Sequence, residues 1–290
     1  MPRFVAVTID WVHGMTHTSI TINPHAAQPT SLVSLANSLW RNRQLIVQMT
    51  KREVVGRYKG SVMGLGWSFF NPLLMLVVYT FVFSVIFKLR WGGDDSKTLF
   101  ASVLFVGMIV FSLFSEVLNR APTLIVSNVN YVKKVVFPIE ILPVIAMGAA
   151  LFHCLISFVV LLLALVAFNG YLHWTILLTP LVFLPIIILT LGLAWMLASL
   201  GVFLRDVGQT IGITTTVLMF LSPMFYPVTA VPEKFLPFIM ANPLTFIIEQ
   251  AREVIIWGRL PDWVGLGLYT LLATLIAWFQ KTRKGFADVL

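Results

Sequence analysis

The sequence predicts an all-α integral membrane protein. It has six transmembrane helices, an N-terminal amphipathic helix at the membrane interface, and a re-entrant helix pair between spans five and six. Three observations carry this reading. Of 290 residues, 58% are hydrophobic and only 11% charged, against about 25% charged in a soluble domain. The mean hydropathy is +0.91. Apolar runs of about 20 residues, the length needed to cross a bilayer, recur between segments that hold the charge.

Residues 1–30 read as a poorly ordered N-terminal extension. Asp10 interrupts the apolar stretch 4–12 and no small-residue cleavage site follows closely, so there is no clear signal peptide. His13, His17 and His25 have the spacing of no common metal site. Residues 31–64 form a cytoplasmic interfacial segment. Leu32, Leu35, Leu39 and Ile46 recur at helical spacing, and Arg41, Arg43, Lys51 and Arg52 are available to lipid headgroups.

The transmembrane domain, residues 65–290, follows. The first span is 65–89, with Pro72 near its start. The second is 99–118, with Glu116 near its end, and the third and fourth are 139–168 and 174–203. The last two are long enough to tilt. The fifth is 210–226 and the sixth 263–279. The loop 120–138 reads as helical, with Pro122 suited to a helix start and Asn128 and Asn130 marking a break. Between spans five and six the chain carries Pro227, Pro232, Pro237 and Pro243. Segment 235–241 is apolar but too short to span, and 245–257 reads as a short helix. Broken backbone at membrane depth is tolerated only where protein or a cavity surrounds it. Two short re-entrant helices meeting at Asn242-Pro243 follow from this.

Charge orients the chain. With the N-terminus in the cytoplasm, the inner segments hold 14 of the 20 Lys and Arg, as the positive-inside rule requires. Both termini are then cytoplasmic. Trp91, Trp174, Trp257 and Trp263 fall at outer ends of spans and Trp67 and Trp278 at inner ends, where tryptophan prefers to sit. The +8 net charge lies in loops and tails, which suits anionic headgroups better than nucleic acid.

Several chemistries find no support. The single cysteine, Cys154, excludes a disulfide framework. No glycine is followed by lysine, so no phosphate-binding P-loop exists in this chain. The spans hold few ionisable groups. His153, the main interior one, reads as a packed, hydrogen-bonded residue rather than a proton relay. Gly56, Gly60 and Gly64, and also Gly208 and Gly212, are spaced four apart, which suits close helix approach within the chain or to a second copy.

The stretch Arg57-Tyr58-Lys59-Gly60-Ser61-Val62-Met63-Gly64-Leu65-Gly66-Trp67, followed by Asn71-Pro72-Leu73, resembles the start of ABC-2 type permeases that export polysaccharides. These are the membrane subunits of O-antigen, capsule and teichoic acid exporters. Lys133-Lys134-Val135-Val136-Phe137-Pro138, Arg205-Asp206-Val207-Gly208-Gln209, Ser222-Pro223-Met224-Phe225-Tyr226-Pro227, Asn242-Pro243-Leu244 and the tail Lys284-Gly285-Phe286-Ala287-Asp288-Val289-Leu290 look like the same family. The resemblance covers residues 31–290. Ile139 departs from it, where a basic residue often follows Phe-Pro.

The resemblance implies a bacterial inner-membrane permease, two copies of it with two separate ABC ATPase subunits, and a channel along the dimer interface. This chain would bind no cofactor and no metal, ATP and magnesium sitting on the ATPase. The loop between spans two and three would seat a coupling helix on the ATPase, with Ser127, Asn128, Asn130, Tyr131, Lys133 and Lys134. Spans one and five would approach the channel, making Phe69, Phe70, Tyr79, Phe220, Phe225 and Tyr226 candidates to line it for a lipid-linked polysaccharide, most closely an O-antigen. The re-entrant pair would form an outer gate with Pro243, Glu249 and Arg252. Capsule or teichoic acid export, small-molecule ABC-2 export, a passive channel and a membrane glycosyltransferase stand as alternatives. The last would need clustered acids or histidines near the interface, which the sequence lacks.

Overall fold

A computed structural model describes residues 32–86, 91, 97–129 and 137–282. Residues 1–31, 87–90, 92–96, 130–136 and 283–290, with the readings made on them, lie outside the described residues. What is described is helical, with no strand.

The segment predicted to lie at the interface forms two helices, α1 (Leu32–Arg41) and α2 (Arg43–Tyr58), meeting at Asn42. Asn42 donates through its backbone and side-chain nitrogens to the Ser38 carbonyl. The predicted single helix is therefore jointed, because a short amide side chain competes for the backbone groups that would carry it on. Helix α2 packs against α5 (Ile141–Asn169). Thr50 approaches Gly148 so closely that a Cβ there would lie 2.8 Å from its hydroxyl.

Four helical segments are long and apolar enough to cross a membrane: Gly66–Phe83, Thr98–Thr123, Ile141–Asn169 and Trp174–Phe203. Val207–Leu221 and Trp263–Ala277 are apolar but shorter. The first predicted span begins as α3 (Gly66–Tyr79), with Pro72 inside it, and continues as a π-helix over Thr80–Ile86. The second is α4 (Lys97–Arg120) and the third is α5, which Gly170 ends in the left-handed conformation that glycine alone adopts without strain. The fourth enters through a 3-10 turn, Trp174–Leu178, into α6 (Thr179–Phe203). The loop predicted helical after span two forms 3-10 turns at Ala121–Thr123 and Val126–Asn128, with Pro122 in the first turn of the former.

The fifth predicted span is corrected. Helix α7 (Val207–Leu221) stops five residues short of Tyr226, because Pro223 cannot continue the backbone ladder. The proline-rich segment predicted to be re-entrant folds as α8 (Leu236–Ala241) and α9 (Pro243–Ile255), joined at Asn242, and α10 (Trp263–Thr282) follows. The Asn242 side chain accepts from the Leu244 amide at 3.0 Å, capping α9, and donates to Ser222 Oγ at 2.9 Å.

The core is built on α4, which packs against α5, α6, α7 and α9. Phe100, Leu104, Phe105, Leu113 and Phe114 are buried along it. Leu244, Ile247, Ile248, Ala251 and Val254 bring α9 fully inside. Helices α6 and α10 close on each other at Gly192, where a Cβ would lie 2.9 Å from the Ala277 Cα. Gly201 of α6 faces the Pro122 carbonyl with no room for a side chain. Gly60 and Gly64 have φ of 86° and 52°. They shape the turn between α2 and α3, so the helix-packing reading of that glycine series fails there.

Candidate functional site

Three groups of side chains stand out, each assembled from elements far apart in the chain. The first fastens α2 to the bundle. Arg57 Nη2 donates to Glu116 Oε1 at 2.6 Å. His153 Nδ1 lies 3.0 Å and 3.1 Å from the two Glu116 oxygens, and the Tyr58 hydroxyl lies 3.2 Å from His153 Nε2. Burial raises the Tyr58 phenol above its ordinary pKa. Glu53 pairs with Arg120, and Ser38 Oγ donates to Glu140 at 2.8 Å. Arg41, Arg43, Lys51 and Arg52 are exposed. His153 is thus held by three polar partners, as its sequence reading expected.

The second group is aromatic. Tyr79 and Phe83 stack with centroids 6.0 Å apart, and Phe83 stacks on Phe225 at 4.9 Å. Tyr79 and Phe220 lie 6.4 Å and 6.3 Å from Phe225. Three of the six sequence-named aromatics therefore meet, across the end of α3 and the segment leaving α7. Phe83 joins them unpredicted, although it stands one helical turn beyond Tyr79. Phe69 and Phe70 stand apart, exposed near the start of α3, where Trp67 meets Phe70 edge-on at 5.7 Å. The Tyr226 hydroxyl donates to the Phe220 and Leu221 carbonyls at 3.2 Å each, closing the end of α7.

The third group centres on Arg252, 1% exposed. Its Nη1 donates to Glu249 at 2.6 Å, its Nε to the Val103 carbonyl at 3.2 Å and its Nη2 to the Met224 carbonyl at 3.2 Å. Its guanidinium lies 4.4 Å over the Trp91 ring. Gly107 opens the space beside it, since a Cβ there would lie 3.3 Å from Nη2. Trp91 is buried within the protein. The Pro243 carbonyl accepts from Tyr269 at 2.8 Å. Of the coupling candidates, Ser127 donates to the Thr123 carbonyl at 2.7 Å and Asn128 to the Leu124 carbonyl at 2.8 Å, both finishing local turns. Asn130, Tyr131, Lys133 and Lys134 lie outside the described residues.

Among the described residues no cluster of metal ligands exists. What fold and site define is a multi-pass helical membrane protein whose polar groups fasten helices together. The chain belongs to the ABC-2 type transporter family, whose model matches residues 44–256. It is similar to the O-antigen export system permease protein RfbA of Myxococcus xanthus, 26% identical over 89% of this chain and 99% of the relative. It is similar to the protein of the same name from Klebsiella pneumoniae, 27% identical over 85% of this chain and 95% of that one. The polysialic acid transport protein KpsM of Escherichia coli is 25% identical over 79% of this chain and 87% of its own length. The chain is accordingly a transport permease and not an enzyme, with ATP hydrolysis on a separate subunit.

Proposed function

We propose that this chain is the membrane-spanning channel subunit of an ATP-driven exporter that carries a lipid-linked polysaccharide, of O-antigen type, across the bacterial inner membrane. The observation that carries the reading is end-to-end similarity to O-antigen export permeases, reaching 99% of one relative's length. Two copies work with two ABC ATPase subunits, which bind ATP and magnesium. Each copy crosses the membrane six times, the shorter α7 and α10 included, with α8 and α9 re-entrant from the outer face and both termini cytoplasmic.

In this mechanism the ATPase pushes on residues 127–134, and α4, the core helix directly before them, transmits the movement. A sugar polymer is wet but has apolar C–H faces. Rings such as Phe220 let those faces slide through many weak, equivalent contacts, because conduction requires binding that is easily left. Glu249, Arg252 and Pro243 anchor α9, the fixed half of an outer gate. Capsule export is the second reading, supported by the polysialic acid transport relative.

The test is the location of lipid-linked polymer in cells depleted of this chain. Polymer accumulating on the cytoplasmic side supports the exporter, and its lipid anchor separates O-antigen from capsule. Unchanged surface polymer, in cells with no second exporter, overturns the polysaccharide reading.

A further inference from the structure

A cleft of about 310 Å³ lies between α3, α4 and α5, closed at one end by Arg57 and Tyr58 of α2. About half of its lining is polar, beside the apolar Pro72, Met75, Phe105, Met108 and Ile109. Asn71, Ser112, Ser115, Glu116, Asn119 and Ser157 all face it. Ser112 lies eight residues before the end of α4, about 12 Å along the helix. Among the described residues, no hydrogen bond satisfies the side chains of Asn71, Ser112 or Ser157. Unpaired amides and hydroxyls are costly in hydrocarbon, so the cleft holds water or a polar ligand.

The chemistry of the lining selects among ligands. Arg57 and His153 both contact Glu116, at 2.6 Å and 3.0 Å, so the basic side chains of the lining are turned to the carboxylate rather than to a phosphate. What remains is neutral and mixed in character. Serine hydroxyls donate and accept, carboxamides do both, and Glu116 Oε2, 3.1 Å from His153 Nδ1, keeps a second lone pair to accept with. Asn119 Oδ1 is occupied by Thr215 at 3.0 Å, which leaves its amide nitrogen to donate. The rings of Tyr58 and Phe105 line the same space. A carboxylate and carboxamides for vicinal hydroxyls, beside rings for C–H faces, is the complement of a sugar.

We propose that this cleft is a binding subsite, inside a single protomer, for one neutral sugar unit of the exported polymer, reached from the cytoplasmic side. The inference rests on the polysaccharide reading above. It adds a station away from the channel between two copies, and it makes the Arg57–Glu116–His153 network the wall that shapes the subsite.

The experiment uses the full permease–ATPase complex in inverted membrane vesicles, with Cys154→Ala as background. A thiol introduced by Ser112→Cys is treated with a membrane-impermeant cationic methanethiosulfonate. Leu155→Cys, 60% exposed on an apolar face, is the control. The Ser112→Cys thiol reacts much faster than the control. Millimolar oligosaccharide, released by mild acid from the host's own polymer and dephosphorylated, slows it at least about fivefold, and inorganic phosphate does not. Reaction no faster than the control, no protection by the oligosaccharide, or protection by phosphate each overturns the subsite.

Export is then measured in a deletion strain. Asn71→Leu with Ser157→Ala, at wild-type protein level, lowers surface polymer about tenfold, equivalent to 1.4 kcal/mol, and Asn71→Gln restores most of it. Normal export in the double variant also overturns the subsite. Wild-type complementation separates the two ideas. If wild-type protein fails to restore surface polymer, the export reading falls and the subsite with it. If it succeeds and the cleft variants export normally, only the subsite falls.

Discussion

At the residue scale, Arg252 makes the sharpest demand on the fold. Removing a guanidinium from water is expensive, and it is tolerated only where hydrogen bonds and an opposite charge replace the lost hydration. Here one carboxylate, two backbone carbonyls and the face of Trp91 do so. Arg252→Ala removes all of these and leaves a cavity, with an expected cost of about 3 kcal/mol. It should appear as a clear fall in melting temperature in detergent. Glu249→Gln keeps a hydrogen-bond acceptor on a side chain that is 35% exposed, so its cost is about 1 kcal/mol. Equal melting temperatures for Arg252→Ala and wild type would refute the clamp. Half of it was legible in the sequence, since Glu249 and Arg252 stand one helical turn apart. Trp91, Gly107 and Met224 were not, because their contacts to Arg252 cross more than twenty residues of chain, and a tryptophan beside an apolar run reads equally well as an interface anchor.

At the scale of elements, helix α2 separates what periodicity reveals from what it hides. Its exposed basic residues and its position before the first span were legible. Its seat on the bundle was not, because Glu53–Arg120 and Arg57–Glu116 join residues 67 and 59 positions apart. The Glu53–Arg120 pair is the more shielded, with side chains 24% and 30% exposed, while Arg57 is 41% exposed and more screened by solvent. Arg120→Glu should loosen α2, raising the tryptic cleavage rate within residues 43–58 about tenfold for 1.4 kcal/mol. Adding Glu53→Arg, which restores an opposite-charge pair, should return most of the protection, and a double-mutant cycle isolates that coupling. Additive losses in the double variant would mean that the pair holds nothing. The glycine series follow the same logic. Spacing alone gave Gly60 and Gly64 the look of a packing face, yet their positive φ makes them turn residues. Gly148, Gly192 and Gly201, where elements do close on each other, stand in no such series.

At the scale of the whole molecule, exposed apolar area cannot by itself locate a second copy, since lipid tails satisfy such surface as well as protein does. Leu155, Val159 and Leu163 on α5 are exposed and carry only branched aliphatic chains, as a lipid-facing surface should. Helix α7 differs. A Cβ at Gly212 would meet nothing within 4 Å, and one at Gly208 only the ring of Pro122 at 4.0 Å. Thr216, one further step of four along, is exposed with its hydroxyl turned back to the Gly212 carbonyl at 2.9 Å. Gly208, Gly212 and Thr216 form a small-residue stripe that no helix among the described residues fills, the kind of surface that lets two helices approach closely in lipid. If the permease works as a pair joined here, Thr216→Cys in the Cys154→Ala background should give disulfide-linked dimers under mild oxidation, and Leu155→Cys should not. Gly212→Ile should weaken the pair by about 1–3 kcal/mol through overpacking, read as a shift toward monomer in detergent. Equal crosslinking at both positions would remove α7 from the interface and leave its stripe to lipid.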